Sequence, residues 1–128
     1  EVADRIIAKS NTSAYGRLSI LSNWKLNIEK IFDIKPKSFS PKPKIDSSLL
    51  VFTPKNNFFK IKDPKNLEKI TRIFFNQRRK MIKKPFNQLF NGNQKIIDKL
   101  KIDLNQRPQN LDFNTYYHLT SLYENLRS

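Results

Sequence analysis

The segment from Arg72 to Lys84 carries the densest run of positive side chains in the chain, six cations with no acid. These cations are Arg72, Arg78, Arg79, Lys80, Lys83 and Lys84. Guanidinium and ammonium groups in such a run suit the phosphate oxygens of a nucleic-acid backbone, which they position without reading sequence. A merely solvated helix face, the alternative, usually mixes charges of both signs. The run therefore predicts a surface that binds a polyanion.

A second group of candidate contacts surrounds Phe39 in a proline-rich segment over 35–48. An aromatic ring flanked by lysines can stack on a nucleobase while the lysines attract the backbone. Phe39, Lys42 and Lys44 are therefore candidate nucleic-acid contacts. Spacing alone equally allows Phe39 to pack on its own domain within a crossover loop, so both interpretations stay open.

Composition excludes most other site chemistry. The chain has no cysteine, one histidine (His118) and two glycines (Gly16 and Gly92). Thiolate metal sites, disulfides, glycine-rich dinucleotide turns and P-loops are therefore ruled out for these residues. His118 has no carboxylate or second histidine in register, which favours a structural role. The sequence predicts neither a metal site nor a cofactor site.

The charge of the whole chain agrees with a nucleic-acid partner. The formal net charge is +14 and the pI is about 10.2, with nine basic and five acidic side chains in residues 1–54 against sixteen and six in residues 55–128. An excess of this size is typical of proteins that bind polyanions. No apolar run is long enough to span a bilayer. We expect a soluble, cytoplasmic monomer and, since Glu1 comes first and Met81 is the sole methionine, a piece of a longer protein.

The elements of the first half suggest an incomplete α/β domain. Residues 2–7 are predicted to form a short amphipathic helix, and Ser13 is a candidate cap for a second one. Alternation over 26–34 predicts a strand, and the apolar run 48–52 predicts a strand buried on both faces. These elements cannot close a domain alone. Residues 1–54 are therefore interpreted as the C-terminal edge of a larger α/β domain.

The second half is predicted to be helical after a linker over 55–62. Asp63 followed by Pro64 is a typical helix start, and one stripe of mainly apolar residues predicts a single helix over 64–84. The face opposite this stripe is predicted to carry Arg72, Asn76, Arg79 and Lys83. Pro85 is expected to end or kink this helix. Two further helices are predicted to start at caps formed by Asn93 and Asp112. The fold class is thus α/β + α, with a small all-helical domain over 63–128.

Four blocks of sequence, taken together, resemble one known family. They are Glu1–Lys9, Ala14–Ser19, Phe39–Ser48 and Phe75–Lys80, and their order and approximate spacing are similar to those of the KsgA/RsmA ribosomal RNA adenine dimethyltransferases. The resemblance implies a Rossmann-like methyltransferase domain followed by a helical domain. It also implies S-adenosylmethionine as cofactor and dimethylation of two adjacent adenosines in the loop of the 3'-terminal small-subunit rRNA helix during ribosome assembly.

The resemblance implies roles for individual residues. Phe39 would stack on the target adenine, and the rRNA contacts would be Arg72, Arg78, Arg79, Lys80, Lys83, Lys42 and Lys44. Arg78 lies nearer the packed side, where it could instead brace the two domains. In this family the cofactor and catalytic motifs precede the position of Glu1. The fragment alone is therefore expected to bind no cofactor and to be inactive, with the small-subunit precursor as its partner.

Two alternatives remain open. The erythromycin-resistance methyltransferases, which modify large-subunit 23S rRNA, share the Phe-x-Pro-x-Pro-Lys block, although the Asn76–Lys80 block argues against them. The other alternative is an RNA- or ribosome-binding module without enzymatic activity.

Overall fold

The computed structural model describes residues 2–34 and 47–127. Phe39, Lys42 and Lys44, and with them the predicted base-stacking loop, lie outside the described residues. In chain order the elements are α1 (Val2–Ile7), α2 (Arg17–Ser22), β1 (Leu26–Ile34), β2 (Ser47–Pro54), α3 (Pro64–Phe75), α4 (Lys83–Phe90), α5 (Gln94–Leu100), a 3₁₀ turn (Pro108–Asn110) and α6 (Phe113–Arg127).

The two predicted strands form an antiparallel pair, in which Leu26 lies opposite Pro54. The register is irregular between Lys30 and Phe32. The expectation that the second strand is buried on both faces is wrong for the described structure, because Val51 is 41% exposed and Phe52 49% exposed. Within the described residues β2 has a single neighbouring strand, and an apolar run does not reveal which layers flank it.

The apolar core lies mainly between α3 and α6. Leu67 and Ile70 of α3 and Leu119 of α6 are fully buried. The predicted helix start is confirmed, since the Asp63 side chain accepts a 3.0 Å hydrogen bond from the Lys65 N–H and Pro64 occupies the first turn. Three residues from the first half of the chain complete this core, namely Tyr15, Ile20 and Trp24.

Buried phenols tie the first half of the chain to the helices. The Tyr15 hydroxyl donates a 2.7 Å hydrogen bond to the Leu111 carbonyl, and the Tyr117 hydroxyl donates one of 2.8 Å to the Ile20 carbonyl. Burial raises the pKa of both phenols far above the usual value of 10.0, so both stay neutral donors. These bonds hold α2 and the loop before it against the helical half.

The single helix predicted over 64–84 is wrong, because α3 ends at Phe75 and α4 begins only at Lys83. A continuous helix would have packed Gln77 and Met81 into the core, yet both are exposed, Met81 by 54%. The chain turns after α3 and buries the next residue, Ile82, completely. Ile82 then lines up with Phe86 and Phe90, four residues apart along α4, as the buried stripe of that helix.

Pro85 does not end a helix, contrary to the prediction. It lies in the first turn of α4, where backbone N–H groups have no partner within the helix, so the missing N–H costs little. The first turn is closed instead by a 2.8 Å hydrogen bond from the Phe86 N–H to the Ile82 carbonyl.

The prediction that Ser13 caps α2 is wrong. The N-cap is Gly16, and its N–H donates a 3.3 Å hydrogen bond to Ser19 Oγ. The predicted caps Asn93 and Asp112 are both confirmed, since Asn93 accepts hydrogen bonds from the Lys95 and Ile96 N–H groups and Asp112 accepts one from the Thr115 N–H. In the described ranges no helix has the length and hydrophobicity needed to cross a membrane.

Candidate nucleic-acid interface

An open cleft of about 840 Å³ lies where the end of α3, the turn segment 76–82, the start of α4 and the loop at 105–107 meet. Its lining residues are Ile73, Phe74, Asn76, Gln77, Arg79, Lys80, Met81, Lys83, Lys84, Pro85, Asn87, Gln88, Asn105 and Arg107.

Backbone hydrogen bonds hold the walls of this cleft together. The Ile82 N–H donates a 2.8 Å hydrogen bond to the Gln106 carbonyl, which joins the turn segment to the 105–107 loop. The loop is itself closed by a 2.9 Å bond from the Asn105 N–H to the Asp103 side chain. Ile82 and Phe86 are fully buried beside these bonds. The backbone that carries the exposed side chains of Lys83 and Lys84 is therefore anchored on both sides.

The cleft is strongly positive. Five cations line it, and no acid is among the lining residues that the structure describes. They are Arg79, Lys80, Lys83, Lys84 and Arg107, all exposed, and none forms an ion pair with a described residue. Like charges gathered in a concave surface raise the local potential and attract anions, above all a chain of phosphates.

Polar amides and one large apolar side chain share the cleft with these cations. The amides are Asn76, Gln77, Asn87, Gln88 and Asn105. No amide group of these five hydrogen-bonds to another residue in the described part of the chain. Met81, 54% exposed, lies among them. The cleft thus presents hydrogen-bond donors, acceptors and apolar surface in addition to charge.

The structure separates the cations that the sequence grouped on one helix face. Arg79 and Lys83 of that face line the cleft together with Lys80 and Lys84. Arg72 is exposed on α3 and is not a lining residue. The grouping by helical projection does not hold beyond Phe75, because the helix that it assumed ends there.

Arg78 points away from the cleft toward the first half of the chain. Its Nη2 donates a 2.8 Å hydrogen bond to the Ser13 carbonyl and a longer one, 3.4 Å, to the Thr12 carbonyl. The guanidinium also lies over the Phe75 ring, 5.7 Å from its centroid. Of the two roles that the sequence left open for Arg78, its contacts match the brace.

Sequence reasoning missed Arg107 and the amides of the cleft. Arg107 is brought to the basic run by the hydrogen bond between Ile82 and Gln106, a pairing that no local pattern in one sequence indicates. The amides could have been suspected from the density of Asn and Gln around the cations, but only the end of α3 at Phe75 turns them toward one concavity.

The acids and the histidine of the described residues do not gather into a set of metal ligands. No group of three or more His, Asp or Glu side chains within them could hold a metal ion. His118 is exposed, with Nδ1 2.8 Å from the Asn114 carbonyl oxygen and its ring 4.6 Å from that of Phe59. The basic cleft disfavours S-adenosylmethionine, because its sulfonium is itself a cation and five cations line the walls.

A model of the family described as ribosomal RNA adenine dimethylase matches residues 1–125. The chain belongs to this ribosomal RNA adenine dimethylase family. The resemblance noted in four blocks of the sequence is thereby confirmed over nearly the whole chain.

Individual relatives within the ribosomal RNA adenine dimethylase family agree. The protein named Ribosomal RNA small subunit methyltransferase A from Pelagibacter ubique (strain HTCC1062) is 70% identical over 127 residues, which cover 99% of this chain and 48% of that protein. Its namesake from Wolbachia sp. subsp. Drosophila simulans (strain wRi) is 39% identical over 130 residues, 97% of this chain and 46% of that protein. The chain thus spans about half the length of the curated relatives it matches.

Two solved structures share the fold. The crystal structure of a dimethyladenosine transferase from Plasmodium falciparum superposes with a TM-score of 0.71 at 24% identity, covering 98% of this chain and 54% of that one. That of the 23S rRNA methyltransferase ErmE gives 0.63 at 16% identity, covering 98% and 51%. Like these, the chain combines helices and sheet as part of a methyltransferase fold.

Proposed function

We propose that the full-length protein transfers methyl groups from S-adenosylmethionine to N6 of two adjacent adenosines in the 3'-terminal loop of small-subunit rRNA. The family match and the 70% identity to a protein named as a small-subunit rRNA methyltransferase support this reaction. The part that this chain plays in the reaction is inferred from the cleft, which five cations line and no described acid does. In this proposal the chain supplies the rRNA-binding surface.

Residues 1–54 would then form the C-terminal edge of a Rossmann-like domain, with 55–62 as linker and 63–128 as the helical rRNA-binding domain. In support of this division, most of the buried core residues belong to the helices within 63–128. Tyr15 and Trp24 share that core, so the two parts would meet through a large buried contact rather than swing freely.

The chemistry requires RNA to be held while one base is presented. The adenine amino group is a weak nucleophile because its lone pair is delocalised into the ring, so the base must leave its stack and be held close to the methyl donor. In our proposal Phe39 stacks on that base, and Lys42 and Lys44 contact the RNA. Lys80 and Lys83 hold the backbone at a distance from the reacting atoms.

Cofactor binding belongs, in this proposal, to another part of the full-length protein. Gly16, in extended backbone, and Gly92, exposed at the end of α4, do not form a glycine-rich turn, and the basic cleft disfavours a sulfonium. The chain alone is therefore expected to bind rRNA without transferring methyl groups. We place the full-length protein in the cytoplasm as a monomer that acts on small-subunit precursors.

Methyl transfer by the full-length protein tests the proposal. With a labelled methyl donor, we expect label on N6 of two adjacent adenosines in small-subunit particles that lack the modification. Label in large-subunit rRNA instead would support the erythromycin-resistance alternative. RNA binding without transfer to either subunit would support a non-enzymatic module and contradict the proposal.

A matched pair of variants connects the activity with the cleft. Lys80→Glu combined with Lys83→Glu reverses two lining charges, whereas Lys95→Glu combined with Lys99→Glu reverses two exposed charges of α5 outside the cleft. We expect the first pair to raise KM for the particles at least about tenfold and the second to change it little. Equal effects would remove the cleft from the interface.

A further inference from the structure

We propose that the basic cleft accepts one unpaired nucleotide of the bound RNA, its base against Met81 and the neighbouring amides, its phosphates at the lysines. This inference rests on the proposed function, namely that the chain binds rRNA. It adds which conformation of RNA the cleft takes and which residues recognise it.

The amides of the cleft are the first reason. A regular RNA duplex is bound mostly through its phosphates and 2′-hydroxyls, and the five cations supply donors to the phosphates. Amide side chains such as Asn87 and Gln88 pair instead with the donors and acceptors on the edges of bases. Since these amide groups have no hydrogen-bond partner among the described residues, their donors and acceptors are open to a ligand.

Met81 is the second reason. The turn that ends α3 buries Ile82 and leaves Met81 54% exposed inside a concave surface, with Ile73 and Pro85 also lining it. A thioether side chain adapts its shape to a flat apolar partner. In A-form RNA the faces of the bases are stacked on one another and out of reach, whereas an extruded base presents its face.

The dimensions agree with a single nucleotide. The cleft has a volume of about 840 Å³, within the range of about 300–1,000 Å³ in which small ligands are bound. A pocket of this size holds one base with its sugar and flanking phosphates. Lys83 and Lys84 would then contact the phosphates. Asn87 would hydrogen-bond to the edge of the base, and Met81 would contact its face.

Binding of two RNA hairpins to the full-length protein tests the inference. The hairpins have equal numbers of phosphates, one fully paired in its stem and one with a single unpaired adenosine there. We expect Met81→Ala to weaken binding of the second hairpin about fivefold to tenfold and to leave the first unchanged. Asn87→Ala should act in the same direction. Lys83→Ala should weaken both hairpins equally, because both present phosphates.

Leu126→Ala is the matched control, because Leu126 is 57% exposed on α6 and lies outside the cleft. It should change neither affinity. Unchanged or equal losses for the two hairpins with Met81→Ala would overturn the inference, while binding that still depends on Lys83 would leave the proposed function intact. Displacement of either hairpin by AMP as effectively as by unlabelled hairpin would also overturn it, since the cleft would then be a site for free nucleotides.

Discussion

The Arg78 guanidinium donates a 2.8 Å hydrogen bond to the carbonyl oxygen of Ser13, a residue 65 positions earlier in the chain. The next two residues, Arg79 and Lys80, line the cleft instead. Three consecutive cations thus divide between two surfaces of one turn. Arg78 holds the loop before α2, and its neighbours face the proposed RNA.

We expect Arg78→Met to lower the free energy of unfolding by about 1 kcal/mol. The substitution keeps the aliphatic part of the side chain but removes the donors to the Ser13 and Thr12 carbonyls, which are partly solvated. Urea-induced unfolding measures the loss. Arg79→Met, on the cleft side of the same turn, serves as control and should stay within about 0.5 kcal/mol of the parent. If both substitutions cost the same, Arg78 is not a brace.

The cleft predicts a specific salt dependence of RNA binding. Replacing Arg79, Lys80 and Lys83 by Glu should make the negative slope of log affinity against log salt concentration shallower by about two to three, because phosphate contacts that are lost no longer release counterions. The double substitution Lys95→Glu and Lys99→Glu on α5 should leave the slope nearly unchanged. Fluorescence anisotropy between about 50 and 200 mM salt provides the measurement.

A substitution of Arg72 distinguishes an interface formed by the cleft from one formed by the continuous helix face that the sequence predicted. A continuous face over 64–84 would make Arg72→Glu as damaging as Arg79→Glu. Since Arg72 does not line the cleft, we expect the smaller loss of affinity at Arg72. Equal losses in the same titrations would extend the interface along α3.

Phe39 is predicted to act on the base rather than on RNA affinity. Phe39→Ala in the full-length protein should lower methyl transfer strongly while binding of the rRNA changes little, because the phosphate contacts remain. Single-turnover rates and equilibrium binding distinguish the two effects. A parallel loss of thermal stability and activity would instead favour Phe39 as a packing residue.

Glu124 gives stability that depends on pH. Its carboxylate is buried, which opposes its charge, but it accepts hydrogen bonds from the Asn66 side chain and from the Lys62 and Asp63 N–H groups. Together these hydrogen bonds, with a smaller contribution from the Lys62 charge, hold its pKa below the usual 4.5. Glu124→Gln should therefore cost about 1–3 kcal/mol at neutral pH.

The sign of this dependence follows from the lowered pKa. The contribution of the Glu124 charge is complete above the unfolded-state pKa and disappears as pH falls through the lower folded-state value. Chemical denaturation should show the parent and Glu124→Gln converging below about pH 4.5. A difference that does not change with pH would show that the carboxylate contributes by shape rather than by charge.

The contribution of Tyr15 to stability has the opposite pH dependence, since it is lost as pH rises. Burial, and the nearby negative charge of Asp112, raise the pKa of its phenol, so the unfolded state loses the proton first as pH rises. Tyr15→Phe should cost about 1 kcal/mol at neutral pH through the lost bond to Leu111. Above about pH 10 the parent should lose this advantage, because ionisation then favours its unfolded chain. A constant difference up to pH 11 would contradict the burial of this phenol.

Local patterns predicted the elements that local chemistry determines. Asp63, Asn93 and Asp112 cap their helices as expected, because capping depends on neighbours within the first turn. The alternating residues of β1 were recognised for a similar reason. The family itself was evident from the order of four blocks.

Features decided by distant contacts were not predicted. The end of α3 at Phe75 depends on burying Ile82 and pairing it with Gln106, and neither residue differs in kind from those that continue a helix. For the same reason the sequence placed Met81 in the core and omitted Arg107 from the basic surface. The exposed faces of β2 likewise depend on which layers lie beside it.

Gly16 and Arg78 belong to two different sequence blocks that mark the family, yet they lie close together in the structure. A Cβ on Gly16 would lie 3.3 Å from Nη1 of Arg78, tight enough to press on the brace. Blocks 14–19 and 75–80 are two separate motifs of the family in the sequence. In the structure they therefore lie in contact with each other. A side chain gained at Gly16 would have to displace the end of the Arg78 side chain, and with it the hydrogen bond to the Ser13 carbonyl.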